Sequence, residues 1–108
     1  MRKRLPPITH LQFLVLGILR AEEQPGRIIR DAIASYGVRQ SAPAFYQMMA
    51  RLEREDAVDG RYEQIAVAGQ MVKERRYKIK TAGLKLWSET RDFYQTVDLA
   101  VREHLSNA

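Results

Sequence analysis

The side chains with the most directed chemistry stand in the stretch 41–56, SAPAFYQMMARLERED. Gln47 carries a carboxamide that can pair bidentately with adenine N6 and N7, so it reads either as a base contact or as a solvated helix position. Tyr46 can donate to a phosphate or pack against a preceding helix. Ser41 can accept a bond from a free backbone N–H as a helix cap. With the N–H groups of the first turn, beside Ala44, it can equally hold a phosphate. Arg51 lies one turn beyond Gln47 on the same face. It can reach a phosphate or form a surface ion pair with Glu53 or Glu55 worth under about 1 kcal/mol. Arg39 and Gln40, just ahead of the stretch, are candidate contacts to a nucleic-acid backbone.

A second charged group follows at 73–80, where Lys73, Arg75, Arg76, Lys78 and Lys80 stand against a single Glu74. Lys73, Arg75 and Lys78 are the candidates for phosphate contacts. A run of this kind is more often only a solvated face; the element that carries it decides between the two. A third group is aromatic and apolar: Trp87, Thr90, Phe93, Tyr94, Val97 and Val101 recur at helical spacing. Its readings are packing, within the chain or against a second copy, or an aromatic pocket for a flat apolar effector.

Other chemistries are excluded or poorly supported. The chain has no cysteine, which removes disulfides, thiolate metal sites and cysteine nucleophiles. His10 and His104 have no ligand-type residue at metal spacing, so no metal is expected. Ser41 has no histidine that sequence order would bring near it, and no Gly-rich phosphate loop occurs; neither an enzyme nor a cofactor is expected. The net charge of +5 favours an acidic partner such as nucleic acid or an anionic membrane surface. At 108 residues, with 45% hydrophobic and 29% charged residues, the chain reads as one globular domain. Arg2, Lys3 and Arg4 before an apolar run superficially resemble a signal peptide. Pro6, Pro7 and Gln12 interrupt it, no small-residue cleavage site follows, and the run is far short of a membrane span of about 20 residues. A cytoplasmic protein without a membrane partner is the expectation.

The elements that must position these groups follow from periodicity. Residues 1–8 form a basic, Pro-containing arm, read as a minor-groove arm or as disorder, with disorder preferred. Thr9 caps a first helix through 11–19, apolar on most sides and hence central to the core. Glu22 to Gly26 is a connection. Ile28, Ile29, Ala32, Ile33 and Tyr36 predict a second helix from Gly26 to Tyr36, stopped by Gly37. Ser41 caps and Pro43 begins a third helix, which buries Phe45, Met48, Met49 and Leu52 and turns Tyr46, Gln47, Arg51 and Arg54 outward. Residues 58–67 and 71–79 predict a β-hairpin about a turn at Ala68-Gly69-Gln70. Thr81 caps a last helix reaching Leu105, with Gly83 expected to fray its first turn. This helix, roughly 25 residues and about 37 Å long, overhangs so small a body, and its seam is expected to pack on another chain.

Helix, helix, helix, hairpin is the order of a winged helix-turn-helix. The string Pro43-Ala44-Phe45-Tyr46-Gln47-Met48-Met49-Ala50-Arg51-Leu52-Glu53 resembles the recognition helix of PadR-family transcriptional regulators, and Arg75-Arg76-Tyr77-Lys78-Ile79-Lys80-Thr81-Ala82-Gly83 resembles their second wing strand running into the last helix. The resemblance runs from about Thr9 to about Tyr94. It departs at Asp56-Ala57, where Gly-Leu is expected, and in a C-terminal region limited to one helix. It implies a mainly α (α+β) fold. Residues 1–80 would form the DNA-binding winged helix with its arm, and 81–108 the dimerisation helix of the same unit. It also implies a homodimeric regulator, usually a repressor, that binds a palindromic operator in double-stranded DNA and is released by a small molecule or other signal. The alternative is a winged helix that binds only protein.

Overall fold

The computed structural model describes residues 4–106, and within them four helices and three strands. Helix α1, His10–Leu19, starts at a capping box: the Thr9 hydroxyl accepts from Gln12 N, and the Gln12 side chain accepts from Thr9 N. Gln12, which breaks the apolar run in the sequence, is therefore buried with its polar end in use. Val15, Leu16 and Leu19 form the centre of the core.

The connection after α1 holds a short strand, β1, Gln24–Pro25, that the sequence pattern does not reveal. Two residues are too few to show alternation, and Pro25 argues against a strand anywhere except at an edge. Helix α2, Gly26–Ser35, buries Ile29 and Ile33 and leaves Ile28 and Tyr36 exposed, so its buried stripe is narrower than the sequence pattern. Gly37 takes φ 87° at its end; Gly37 N donates to Ala34 O and Val38 N to Ile33 O, which closes the helix in a Schellman motif.

Helix α3, Ala42–Arg54, is capped by the Ser41 hydroxyl accepting from Ala44 N at 3.2 Å. Phe45, Met49 and Leu52 are fully buried in the same core cluster as Val15, Leu16, Leu19, Ile29 and Ile33. Its C-terminus repeats the Schellman pattern, Asp56 N to Glu53 O and Ala57 N to Leu52 O, with Asp56 at φ 62° in the position usually filled by glycine. That explains the missing Gly-Leu: an aspartate tolerates the left-handed conformation, and its carboxylate meets Lys80.

Strands β2, Val58–Val67, and β3, Gln70–Ile79, pair antiparallel from Val58 with Ile79 to Val67 with Gln70. The turn between them is the two residues Ala68 and Gly69, both at positive φ, and Gln70 belongs to the strand. β1 adds to the other side of β3, giving the order β1-β3-β2. The wing is thus a two-stranded projection from a three-stranded base.

Helix α4 runs Thr81–Ser106. A Cβ at Gly83 would overlap the Ala57 carbonyl oxygen, so this glycine permits close approach of the helix to the sheet, and the residue is buried instead of fraying. The first half of α4 packs within the chain, contrary to a seam reserved for a partner. Trp87 stacks on Phe13 at 5.7 Å, the Arg20 guanidinium lies 3.8 Å from its ring centre, and Gly17 gives it room. The physical reason is that α1 is apolar on most sides and the other helices cover only part of it. Beyond Tyr94, which stacks on His10, the helix leaves the body. Among the described residues no helix is long and apolar enough to cross a membrane.

Candidate nucleic-acid interface

With Phe45, Met49 and Leu52 turned inward, helical geometry puts Gln47, Ala50, Arg51 and Arg54 on the opposite face of α3. Gln47, Arg51 and Arg54 are exposed. Arg51 pairs with Glu55 one turn on, 3.1 Å apart, and both side chains are well solvated. Arg54 has no acidic partner among the described residues and stands seven residues beyond Gln47 on the same face. Arg54 is not among the contacts expected from the sequence, although its spacing from Gln47 places it on the same outward face.

Tyr46 lies at the edge of that face, edge-on to Phe45 at 5.0 Å. Gly26 admits it: a Cβ there would lie 3.0 Å from the Tyr46 hydroxyl. It therefore packs against the start of α2 while remaining partly exposed. Ser41 serves as the cap, with Ala44 exposed on the same turn. Arg39 is exposed. Gln40 is half-buried; its carbonyl accepts from Arg30 at 3.1 Å, and its Oε1 has no partner. The pair fixes the turn between α2 and α3 and leaves Arg39 pointing at solvent.

The wing separates its charges by strand parity. Lys73, Arg75 and Tyr77 share the face toward α3; Glu74, Arg76 and Lys78 share the other. Lys78 therefore lies on the opposite face of β3 from Lys73 and Arg75. On the α3 side, a groove of about 510 Å³ is lined by Tyr46, Ala50, Glu53, Tyr62, Lys73, Arg75 and Tyr77. Ala50 is one turn from Gln47, so the groove is continuous with the outward face of α3. Arg75 is paired with Glu53 and lies 4.7 Å over the Tyr62 ring, whereas Lys73, at 5.9 Å from the same ring, has no acidic partner among the described residues. Burial pushes the Tyr77 hydroxyl up to about 12, so it stays a neutral hydrogen-bonding group.

On the opposite face, acidic residues occupy the arginines. Glu23 accepts two bonds from Arg61, at 3.0 and 2.8 Å, and one from Arg76 at 3.1 Å; Arg27 meets Glu74 at 2.6 Å. These hydrogen bonds, from Arg61 first and then Arg76, hold the Glu23 carboxyl below the usual carboxylate range. Toward the tip, the residues from Ile65 to Val72 carry no charge at all.

No protein-family model matches the chain, and no curated protein matches it. Solved structures do match. A PadR-like transcriptional regulator from Bacillus cereus aligns at TM-score 0.69 and 22% identity, over 88% of this chain and 90% of that one. A PadR family transcription regulator from Clostridium difficile aligns at TM-score 0.73 and 13% identity, over 90% and 99%. The fold is that of the PadR-like regulators. A third match, Bacillus subtilis PadR in complex with operator DNA, aligns at TM-score 0.61 and 20% identity, over 82% of this chain and 48% of the longer one. The first two of these matches are transcriptional regulators. Among the described residues no group of three or more His, Cys, Asp or Glu could hold a metal ion.

Of the remaining expected positions, Trp87 and Thr90 pack within the chain, Thr90 buried with its hydroxyl donating to Leu86 O at 2.7 Å. Phe93 and Val97 are half-buried, and Tyr94 and Val101 are exposed. Arg2 and Lys3 lie outside the described residues.

Proposed function

We propose that this protein is a PadR-family, sequence-specific DNA-binding transcriptional regulator, a cytoplasmic homodimeric repressor of a palindromic operator. The observation that carries the reading is the continuity of one surface. The face of α3 with Gln47, Arg51 and Arg54 runs into the groove rimmed by Lys73, on a fold shared with a regulator solved on its operator. Gln47 reads a base edge in the major groove. Arg54, Arg51, Lys73, Arg39 and the first turn of α3 at Ser41 and Ala44 meet phosphates. Tyr46 donates its hydroxyl at the rim, and Lys78 stands away from this surface. The free half of α4, with Tyr94, Val97 and Val101, packs on a second copy. A releasing ligand of flat apolar shape would enter beside Phe93 and Tyr94, because Trp87 is already covered by Phe13 and Arg20.

A second reading, a winged helix that binds protein alone, draws support from the uncharged wing tip. Selection of duplexes from a random library at about 150 mM salt separates the two. Enrichment of a palindrome with half-sites about 34 Å apart is the expected result. A dimer that enriches nothing would move the assignment to the protein-binding reading.

A further inference from the structure

The ion pair of Glu53 and Arg75 runs from the recognition helix to the wing. Its surroundings are shaped to hold it. Gly60 on β2 lacks the Cβ that would overlap the Glu53 carboxylate and crowd the Arg75 guanidinium. Tyr62, the ladder partner of Arg75, lies under the guanidinium, and the Tyr77 ring is 5.8 Å from it. Both members of the pair keep only about a quarter of their side-chain surface, 24% and 25%. A guanidinium with its charge and its face in use has little left for a phosphate. Glu53 is also an awkward residue on a face meant for a polyanion, if charge is all that counts.

Position explains both. Past Tyr62 and Arg75, β2 and β3 project from the body, and the side chains from 64 to 73 are exposed apart from a half-buried Ile65. The outermost ties of the wing to the helices are Glu53–Arg75 on the groove face and Arg27–Glu74 on the other. A two-stranded hairpin has little rigidity of its own.

We propose that Arg75 is a positioning residue and not a phosphate contact: latched to Glu53, it sets the angle at which the wing leaves α3. That angle determines where Lys73 and the uncharged tip fall when Gln47 sits in the major groove. The inference rests on the DNA-reading function proposed above.

The test uses the full chain and the duplex selected for it, with Glu53→Gln, Arg75→Gln, the double variant, and Lys73→Gln as a contact control. Thermal melting first establishes that each variant is folded; Glu53→Gln keeps the side-chain shape and carries the test if Arg75→Gln does not fold. Each latch variant is expected to weaken binding about tenfold, the middle of the range for residues in contact, and the double variant no further. The log–log salt slope should stay at the wild-type value in both, but fall by about 0.9 in Lys73→Gln. Hydroxyl-radical protection should blur under the wing and persist under α3, which a general loss of stability would not produce. Tighter binding by Glu53→Gln, additive effects, an even loss of footprint, or a slope reduced by about 0.9 in Arg75→Gln would overturn the latch while leaving the DNA-reading function standing. A wild-type chain that selects no duplex would overturn both.

Discussion

Gln47 and Arg54 share a face of α3 but should fail differently when removed. On the proposed reading Gln47 meets a base edge, so Gln47→Ala should cost discrimination of about 1–3 kcal/mol at one operator position while binding to unrelated duplex barely changes. Losing the unpaired charge of Arg54 should weaken binding to every sequence and lower the salt slope by about 0.9. Competition binding against single-base variants at several salt concentrations separates the two, and identical profiles would remove Gln47 from base reading. Asp56 offers a stability counterpart. At φ 62° an aspartate is less strained than most L-residues but more so than glycine, and the Lys80 pair it would lose is exposed. Asp56→Gly should therefore raise the melting temperature; a lower one would show that the Lys80 pair outweighs the strain. Residue roles were legible where the partner is close in sequence, as with Thr9, Ser41 and Gly37. Arg75 was not, because Glu53 lies 22 positions away and nothing in the run 73–80 announces it.

Among the elements, the helices and the hairpin follow from periodicity, and the errors sit where periodicity is silent. β1 is two residues long and exists through pairing with Tyr77 and Arg76, so only the tertiary fold reveals it. The alternation of β3, by contrast, was available to place Lys78 opposite Lys73. Glu23, next to β1, joins the base of the sheet through Arg61 and Arg76. Its carboxyl is held below the ordinary 4.5, so the unfolded chain takes up the proton first on acidification. The stability it contributes is present above pH 4.5 and is lost as pH falls through the lowered folded value. Amide protection factors at Gln24 and Tyr77 should therefore drop in that range, and Glu23→Gln should show the reduced protection at every pH. An unchanged acid response in Glu23→Gln would assign it to another carboxylate.

The dimensions of the whole molecule argue for a second copy. Its radius of gyration is 17.0 Å, against about 13 Å for a compact chain of this length, and its extents are 65 × 27 × 23 Å. The excess is the distal part of α4, where Leu99, Val101 and Leu105 are 60%, 51% and 68% exposed. The overhang was legible from length alone. How much of the seam stays free was not, since it depends on how much of α1 the other helices leave uncovered. A lone helix end with exposed apolar residues is marginal in water, and burial against a second copy would stabilise it. Replacing Val97 and Val101 together by Glu puts like charges on both sides of the proposed seam. Sedimentation should then fall from twice 12.5 kDa to the single mass, with the winged body still folded. The monomer should keep weak binding to one half-site and lose the palindrome, because two half-sites on one duplex benefit from the linkage that the dimer supplies. A variant that remains dimeric would place the contact elsewhere. A monomer that still binds the palindrome as tightly as the wild type would show that the seam has no part in operator recognition.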